Sequence, residues 1–182
     1  MEGRQILDSV ILVHEVVHSL KVTKKPGMLL KLYISKGYNK FNWQFVREML
    51  KAYGISREWI AWIMNMTSSA FFSILLNGAP TNTFRPTQGI RQGDPLSPLL
   101  FILMETGLSR LIKVMTESDE MKGLNPHNGS DKQMRQQFVD DTMLMGHPSV
   151  QEARVFRKCL SNFLKASGLE IKSEKSQVFF IL

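Results

Sequence analysis

Two adjacent carboxylates, Asp140 and Asp141, sit inside the run Gln137-Phe138-Val139-Asp140-Asp141-Thr142-Met143-Leu144, between apolar residues of high strand propensity. A carboxylate taken out of water without a partner is costly, so this pair calls for a cation, a hydrogen-bond donor or open solvent beside it. Carboxylate oxygens are the natural ligands of a hard divalent cation, which makes a magnesium site the sharpest reading. An Asp-Asp pair also suits an ordinary surface turn, and taken alone that reading is the simpler one. The apolar flanks favour a buried hairpin instead. Alternation along a strand would send adjacent side chains to opposite faces, whereas a turn here lets Asp140 point inward and leaves Asp141 peripheral.

A second stretch with chemical potential is Arg91-Gln92-Gly93-Asp94-Pro95-Leu96-Ser97-Pro98-Leu99-Leu100-Phe101. Gly93 permits close backbone approach, Arg91 adds a positive charge, and Gln92 can both donate and accept hydrogen bonds. A helix beginning near Ser97 would present unpaired N–H groups and the positive end of its dipole, so a nucleotide or phosphate backbone fits there. A plain loop leading into a helix fits as well, and the residues alone favour it.

The elements that must position these residues are legible from periodicity. Ile6, Val10, Val13, Val17 and Leu20 recur at helical spacing, which predicts an amphipathic helix over residues 5–21, ended by a basic, solvated turn at Lys24-Lys25-Pro26-Gly27. Residues 28–34 read as a short buried strand, residues 43–53 as a helix stopped at Gly54, and residues 57–66 as a helix capped by Ser56. Residues 71–76 and 81–87 read as strands joined at Asn77-Gly78, a pair suited to a two-residue hairpin turn. Ser97 followed by Pro98 predicts the start of a helix running to about Met115. Beyond a polar loop at residues 119–132, the sequence predicts a hairpin turning near the two aspartates, a helix over 149–166 capped by Gly168, and one or two last strands within 169–181. The fold class that follows is α+β, in one domain of 182 residues without repeats or linkers.

Composition narrows the function classes. The chain carries 23 Lys and Arg against 16 Asp and Glu, a net charge of +7, which suits a polyanionic partner such as nucleic acid as well as a merely soluble basic surface. A single cysteine, Cys159, cannot form an internal disulfide, and no Cys/His cluster has zinc spacing. No apolar run approaches the roughly 20 residues that span a bilayer. These features predict an intracellular protein, nuclear or cytoplasmic, with no membrane partner. The eleven methionines and eleven phenylalanines read as core filler.

In order along the chain, GRQILD, LLKLYISKGYNKFNW, LLNGAPTNTFRPTQGIRQGDPLSPLLFIL, QFVDD and FLKASGLEIKSEKSQ resemble the reverse transcriptase domain of non-LTR retrotransposons, the LINE type abundant in plants. The resemblance covers roughly residues 2–181. It implies an α+β polymerase palm, an antiparallel sheet with packed helices, over residues 28–182, preceded by a remnant of the fingers in residues 1–27. It also implies RNA-directed DNA synthesis, with an RNA template, a DNA primer and deoxynucleoside triphosphates as partners and Mg2+ as cofactor. In such enzymes two metal ions clamp the attacking hydroxyl and the leaving pyrophosphate, held by carboxylates from two strands.

Residue by residue, Asp140 and Asp141 match the carboxylate pair of the FADD hairpin, with Val139 in place of the commoner small residue. Tyr38 matches the aromatic residue packed beneath the incoming sugar, where an ordinary core tyrosine would also sit. Gln92 and Gly93, next to Arg91, match the nucleotide-contacting turn. Lys175 matches the lysine proposed as proton donor to pyrophosphate, and a solvated strand lysine is its plainer reading. The block Lys31-Leu32-Tyr33-Ile34-Ser35-Lys36-Gly37-Tyr38-Asn39 departs from the family's KLD-x-x-K-A-Y-D: Tyr33 stands at the metal-binding aspartate and Asn39 at the second one. A phenol of pKa about 10 is neutral at pH 7 and a poor magnesium ligand, so weak or absent metal binding and an impaired polymerase are expected. Relative to the family pattern, a basic fingers segment is expected before Met1 and a thumb after Leu182, giving the look of a fragment of a decayed element. A non-catalytic nucleic-acid-binding module and an unselected remnant are the alternative readings.

Overall fold

The computed structural model describes residues 6–35, 37–117, 124, 135–138 and 141–181. The chain is α+β, as its periodicity predicts, and divides into two compact units. The first comprises Met1–Ser35, Leu108–Asn162 and Glu170–Leu182; the second comprises Lys36–Gly107 and Phe163–Leu169.

The first unit is built on an antiparallel sheet. Its central strand is β1 (Gly27–Ser35), which follows helix α1 (Ile6–Thr23). Along one edge β1 pairs with β5 (Asp141–Gly146), itself paired with β4 (Arg135–Phe138). Along the other it pairs with β7 (Gln177–Ile181) and, at its end, with β6 (Glu170–Ile171). Residues directly opposite in an antiparallel pair share a face. Leu29↔Met145 therefore marks one face, which packs with Val16 and Leu20 of α1 and with Leu124 in a buried cluster. Leu30↔Leu144 and Leu32↔Thr142 mark the opposite face. Burial on both faces explains why β1 reads as a nearly continuous apolar run. Helix α6 (Val150–Ser167) lies against the end of β5, since a Cβ at Gly146 would meet the Phe156 ring at 2.8 Å. Ser149 Oγ accepts the Glu152 N–H at 3.1 Å, and the buried Glu152 carboxylate accepts the His147 N–H at 2.7 Å, which secures the start of α6.

The end of α1 differs from a plain solvated turn. Lys25 N–H donates to Leu20 C=O and Lys24 N–H to Lys21 C=O, the pairing of a Schellman motif, with Lys24 in the left-handed position at φ 50°.

The second unit holds α2 (Gly37–Lys40), α3 (Trp43–Ala52), α4 (Arg57–Ser68), the hairpin β2–β3 (Leu75–Leu76, Ala79–Pro80) and residues 97–107 of α5 (Ser97–Glu117). Asn42 caps α3, its side chain accepting the Gln44 N–H at 2.8 Å. Gly54 (φ 75°) and Ile55 close α3 with N–H bonds to Lys51 and Leu50, as the glycine at that place predicts. Ser56 caps α4 through the Trp59 N–H, again as read from sequence. The core is aromatic: Phe41 meets Phe101 edge-on at 5.7 Å, and Phe45 meets Phe163 edge-on at 5.8 Å.

Two expectations need correction. The hairpin turns at Asn77 (φ 51°) and Gly78 (φ 83°), the two positive angles of a type I′ turn, yet its strands are far shorter than residues 71–87 suggest. At the next pair the Thr81 N–H still donates to Ile74 C=O at 2.8 Å, but the Ile74 N–H goes to Thr81 Oγ1 at 3.0 Å instead of the partner backbone. The pairing resumes only at Phe72↔Phe84, one residue out of step, a bulge on the second strand. As the Ser97-Pro98 pair predicts, α5 begins at Ser97, which is buried, and Asp94 secures that start: its Oδ1 accepts the Leu96 N–H at 2.8 Å and its C=O the Ser97 N–H at 3.1 Å. Finally, Lys175 lies in a 3₁₀ turn, Ser173–Lys175, between β6 and β7, and not on a strand. The expected loop at residues 119–132 lies outside the described residues except for Leu124. Among the described residues no helix is long and apolar enough to cross a membrane.

Candidate functional site

The sheet register decides where the first set of candidate residues meets. Tyr33 is directly opposite Asp141, the first residue of β5, and Phe138 at the end of β4 is opposite Asp141 on its other side. Asp140, with Val139, lies outside the described residues. Counting along β1 by twos places Lys31 on the same face as Tyr33. The turn carrying Lys175 closes on this end of β1 from the opposite edge. Ser176 Oγ accepts the Tyr33 N–H at 3.2 Å, and Tyr33 C=O accepts the Lys172 N–H at 3.0 Å. These bonds set the exposed Lys175 ammonium 4.8 Å above the Tyr33 ring.

The result is a phenol with the Lys175 side chain on its face at the position that the resemblance assigns to a carboxylate. A cation over an aromatic ring is attracted by the ring's negative face, worth about 0.5–1 kcal/mol at an exposed site. The same two groups offer a divalent cation no anionic oxygen. Among the described residues no group of three or more His, Cys, Asp or Glu side chains could hold a metal ion. The donors described on β1 and in the Lys175 turn do not fit a magnesium pair.

The second set, Tyr38, Arg91, Gln92 and Gly93, belongs to the other unit. Gly37 and Tyr38 open α2, and the Tyr38 ring stacks on Phe101 at 4.8 Å and 11°. The turn of residues 88–93 is fastened to this segment by its backbone. Gly89 N–H donates to Phe41 C=O at 2.8 Å and Ile90 N–H to Tyr38 C=O at 2.6 Å, while the indole N–H of Trp43 donates to Gly89 C=O at 2.7 Å. Gly89 sits at φ 86°, and a Cβ there would lie 2.7 Å from Asn39 C=O, so both angle and space demand glycine. Arg91, Gln92 and Gly93 follow in exposed positions, with Gly93 at φ 84°. The amides of Leu96 and Ser97 are already satisfied by Asp94, so the start of α5 supports the plain loop-to-helix reading over an anion site.

Beside this turn lies a groove of about 370 Å³ walled by Phe72 and Phe84, floored by Ala70 and Ile90, and rimmed by Asn39 and Gln88 together with Arg91 and Gln92. Sequence reasoning took Phe72 and Phe84 only as hairpin residues. Their equivalent placement on the two arms of an Asn-Gly hairpin was the available signal, hidden by the bulge. Asn39 stood out only as a missing aspartate, and the role of Trp43 as a clamp on Gly89 left no mark at 46 residues' separation.

A family model described as reverse transcriptase (RNA-dependent DNA polymerase) matches residues 1–180. The chain is 27% identical over 175 residues to the transposon TX1 149 kDa protein of Xenopus laevis, covering 96% of this chain and 13% of that protein. It is 26% identical over 147 residues to the Pol polyprotein of the type-2 retrotransposable element R2DM of Drosophila melanogaster, covering 81% of this chain and 13% of that one. An uncharacterised mitochondrial protein of Arabidopsis thaliana is 40% identical over 72 residues, 40% of this chain and 59% of that protein. Among solved structures, telomerase from Candida tropicalis in complex with a fragment of telomeric RNA superposes with a TM-score of 0.69 at 16% identity, over 94% of this chain and 29% of that one. The last is a likeness of fold. The chain thus spans 13–59% of the length of these sequence relatives.

Proposed function

Because this chain belongs to the reverse transcriptase (RNA-dependent DNA polymerase) family, we propose that it is the palm of a retrotransposon-type polymerase, with a remnant of the fingers in residues 1–27, that engages an RNA template and a DNA primer but is impaired in the metal-dependent step. The observation that carries the second half is the pairing of Tyr33 with Asp141, with Lys175 over the phenol ring. The family normally uses a divalent metal, which in polymerases of this kind stabilises developing charge on the transferred phosphate. Here a phenol replaces one of the anionic ligands. Removing a single charge-stabilising group from an active site costs on the order of 3 kcal/mol, a hundredfold or more in rate, and losing a metal ligand costs at least as much.

The surviving positions divide the remaining work. Asp140 and Asp141 supply the carboxylate pair, Lys175 donates a proton to the leaving pyrophosphate, and Tyr38, Arg91, Gln92 and Gly93 contact the nucleotide. The net charge of +7 supplies attraction for a phosphate backbone.

Primer extension by the purified chain on an RNA template, in Mg2+ and deoxynucleotides, tests the impairment. The unaltered chain should give no measurable product, and Tyr33→Asp a slight gain. Robust extension by the unaltered chain, abolished by Asp140→Ala, would show that another residue completes the site. Retention of a labelled primer–template, weakening steeply with salt, tests the binding half; salt-insensitive or absent retention removes it.

A further inference from the structure

The groove in the second unit has a chemistry that the nucleotide-contacting turn does not explain. Its wall is an aromatic pair, Phe72 and Phe84, with ring centroids 6.1 Å apart and planes 30° apart. These rings are 40% and 49% exposed, although large apolar side chains of a hairpin usually find cover. The floor, Ala70 and Ile90, is buried. Two exposed amides, Asn39 and Gln88, stand at the rim and can each donate and accept. Arg91 lies at the groove. Arg91 takes part in no ion pair among the described residues.

We propose that this groove takes one unpaired base of a nucleic-acid strand, stacked on the Phe72–Phe84 wall, with its edge met by the Asn39 and Gln88 amides and a flanking phosphate by Arg91. Each part of the ligand is matched. A flat, apolar wall favours a π face, and stacking of bases on aromatic side chains tolerates any base. Amides that both donate and accept suit the mixed edge of a base. An apolar peptide in the same groove would leave amides and a guanidinium facing nothing polar, which is costly. A volume of about 370 Å³ holds a single base but not a base pair with its stacked neighbours. The bases of a duplex also have their faces already covered, so the occupant is a single strand or an overhang.

This inference rests on the nucleic-acid-binding half of the function proposed above and adds where and how a strand is held. The test uses the full chain with 12-nucleotide single strands of RNA and of DNA, and blunt duplexes of the same sequence, each carrying one 5-iodouracil for photo-crosslinking. The single strands should bind more tightly than the duplexes and within a few-fold of each other, since a base face is common to both. Phe84→Ala should weaken single-strand binding roughly tenfold, the usual effect of losing one stacking platform. Phe84→Leu keeps the apolar volume of the hairpin and should weaken it several-fold with an unchanged melting temperature, which separates stacking from unfolding. Arg91→Gln should lower the salt slope by about one. Trp62→Ala, an exposed aromatic elsewhere, should change nothing. Cross-links should map to the peptides holding Phe72 or Phe84. Tight single-strand binding that Phe84→Ala and Phe84→Leu leave intact, with cross-links at Trp59 or Trp62, overturns the groove while leaving the nucleic-acid-binding reading standing. No binding to any strand overturns both.

Discussion

Replacing Tyr33 by Asp puts a carboxylate directly opposite Asp141, and the register allows its consequences to be worked out. Directly opposite residues of an antiparallel pair lie about 5 Å apart. Two negative charges at that separation repel by about 1 kcal/mol in water and about 3 kcal/mol at the effective dielectric near a protein surface. The variant also loses the contact between ring and Lys175 ammonium, worth about 0.5–1 kcal/mol at an exposed site. The freed ammonium can approach the new carboxylate and offsets part of the repulsion. Without divalent metal, Tyr33→Asp should therefore be less stable by about 1–3 kcal/mol, which for a chain of this length lowers the melting temperature by about 2–4 °C per kcal/mol. Magnesium offsets much of this loss. A cation bound only by the folded state adds about 1.4 kcal/mol when present at tenfold its dissociation constant. Thermal melts followed by circular dichroism at 0 and about 10 mM magnesium, at constant ionic strength, should show recovery of several degrees in Tyr33→Asp and little change in the unaltered chain. Adding Asp141→Asn to the variant should remove the recovery. An equal or larger magnesium shift in the unaltered chain would refute the argument, because its phenol would then not be the missing ligand.

Three other outcomes follow from backbone and cap geometry. Gly89→Ala should cost about 2–4 kcal/mol in urea unfolding, combining positive φ with a clash against the Asn39 carbonyl, whereas Gly54→Ala, also at positive φ but in open space, should cost only about 1 kcal/mol. Lys24→Gly should raise stability by about 0.5–1 kcal/mol in the same assay, because Lys24 holds φ 50° at a helix end where glycine is unstrained. The Glu58 carboxyl is held below its usual 4.5 by the bond from its own backbone N–H and then by Ser56, so its contribution is present above 4.5 and is lost as pH falls through the lowered value; Glu58→Gln should flatten that acid limb of a stability-versus-pH curve.

Much of the local architecture was written in short stretches of residues. Asn77-Gly78 supplied two positive φ angles and so a I′ turn, and Ser56, Gly54 and Gly168 marked helix ends that the structure places within a residue or two. The helix of residues 5–21 and the strand of residues 28–34 emerged because an apolar period or run is itself the signal for a buried face. Where local reading failed, a neighbour outside the window intervened. The lengths of β2 and β3 were set by the Thr81 hydroxyl, which takes the Ile74 N–H, and by the bulge before Phe84.

The sequence by itself determined the chemical types at the site. A carboxylate pair at residues 140–141, a phenol at 33 and a basic, glycine-bearing turn at 91–93 need no fold to be recognised, because charge, pKa and backbone freedom belong to each residue. Only the tertiary structure decided which of them meet. Tyr33 lies opposite Asp141 because β1 pairs with β5 along one edge and β7 along the other, and a slip of one residue would turn Leu29 and Met145 out of their cluster with α1. Lys175 reaches the Tyr33 ring through bonds spanning 143 residues of chain, and Phe72 and Phe84 form one wall through a bulge that repays a skipped residue. Such contacts follow from closing long loops around a shared core, and no short window of sequence carries that information.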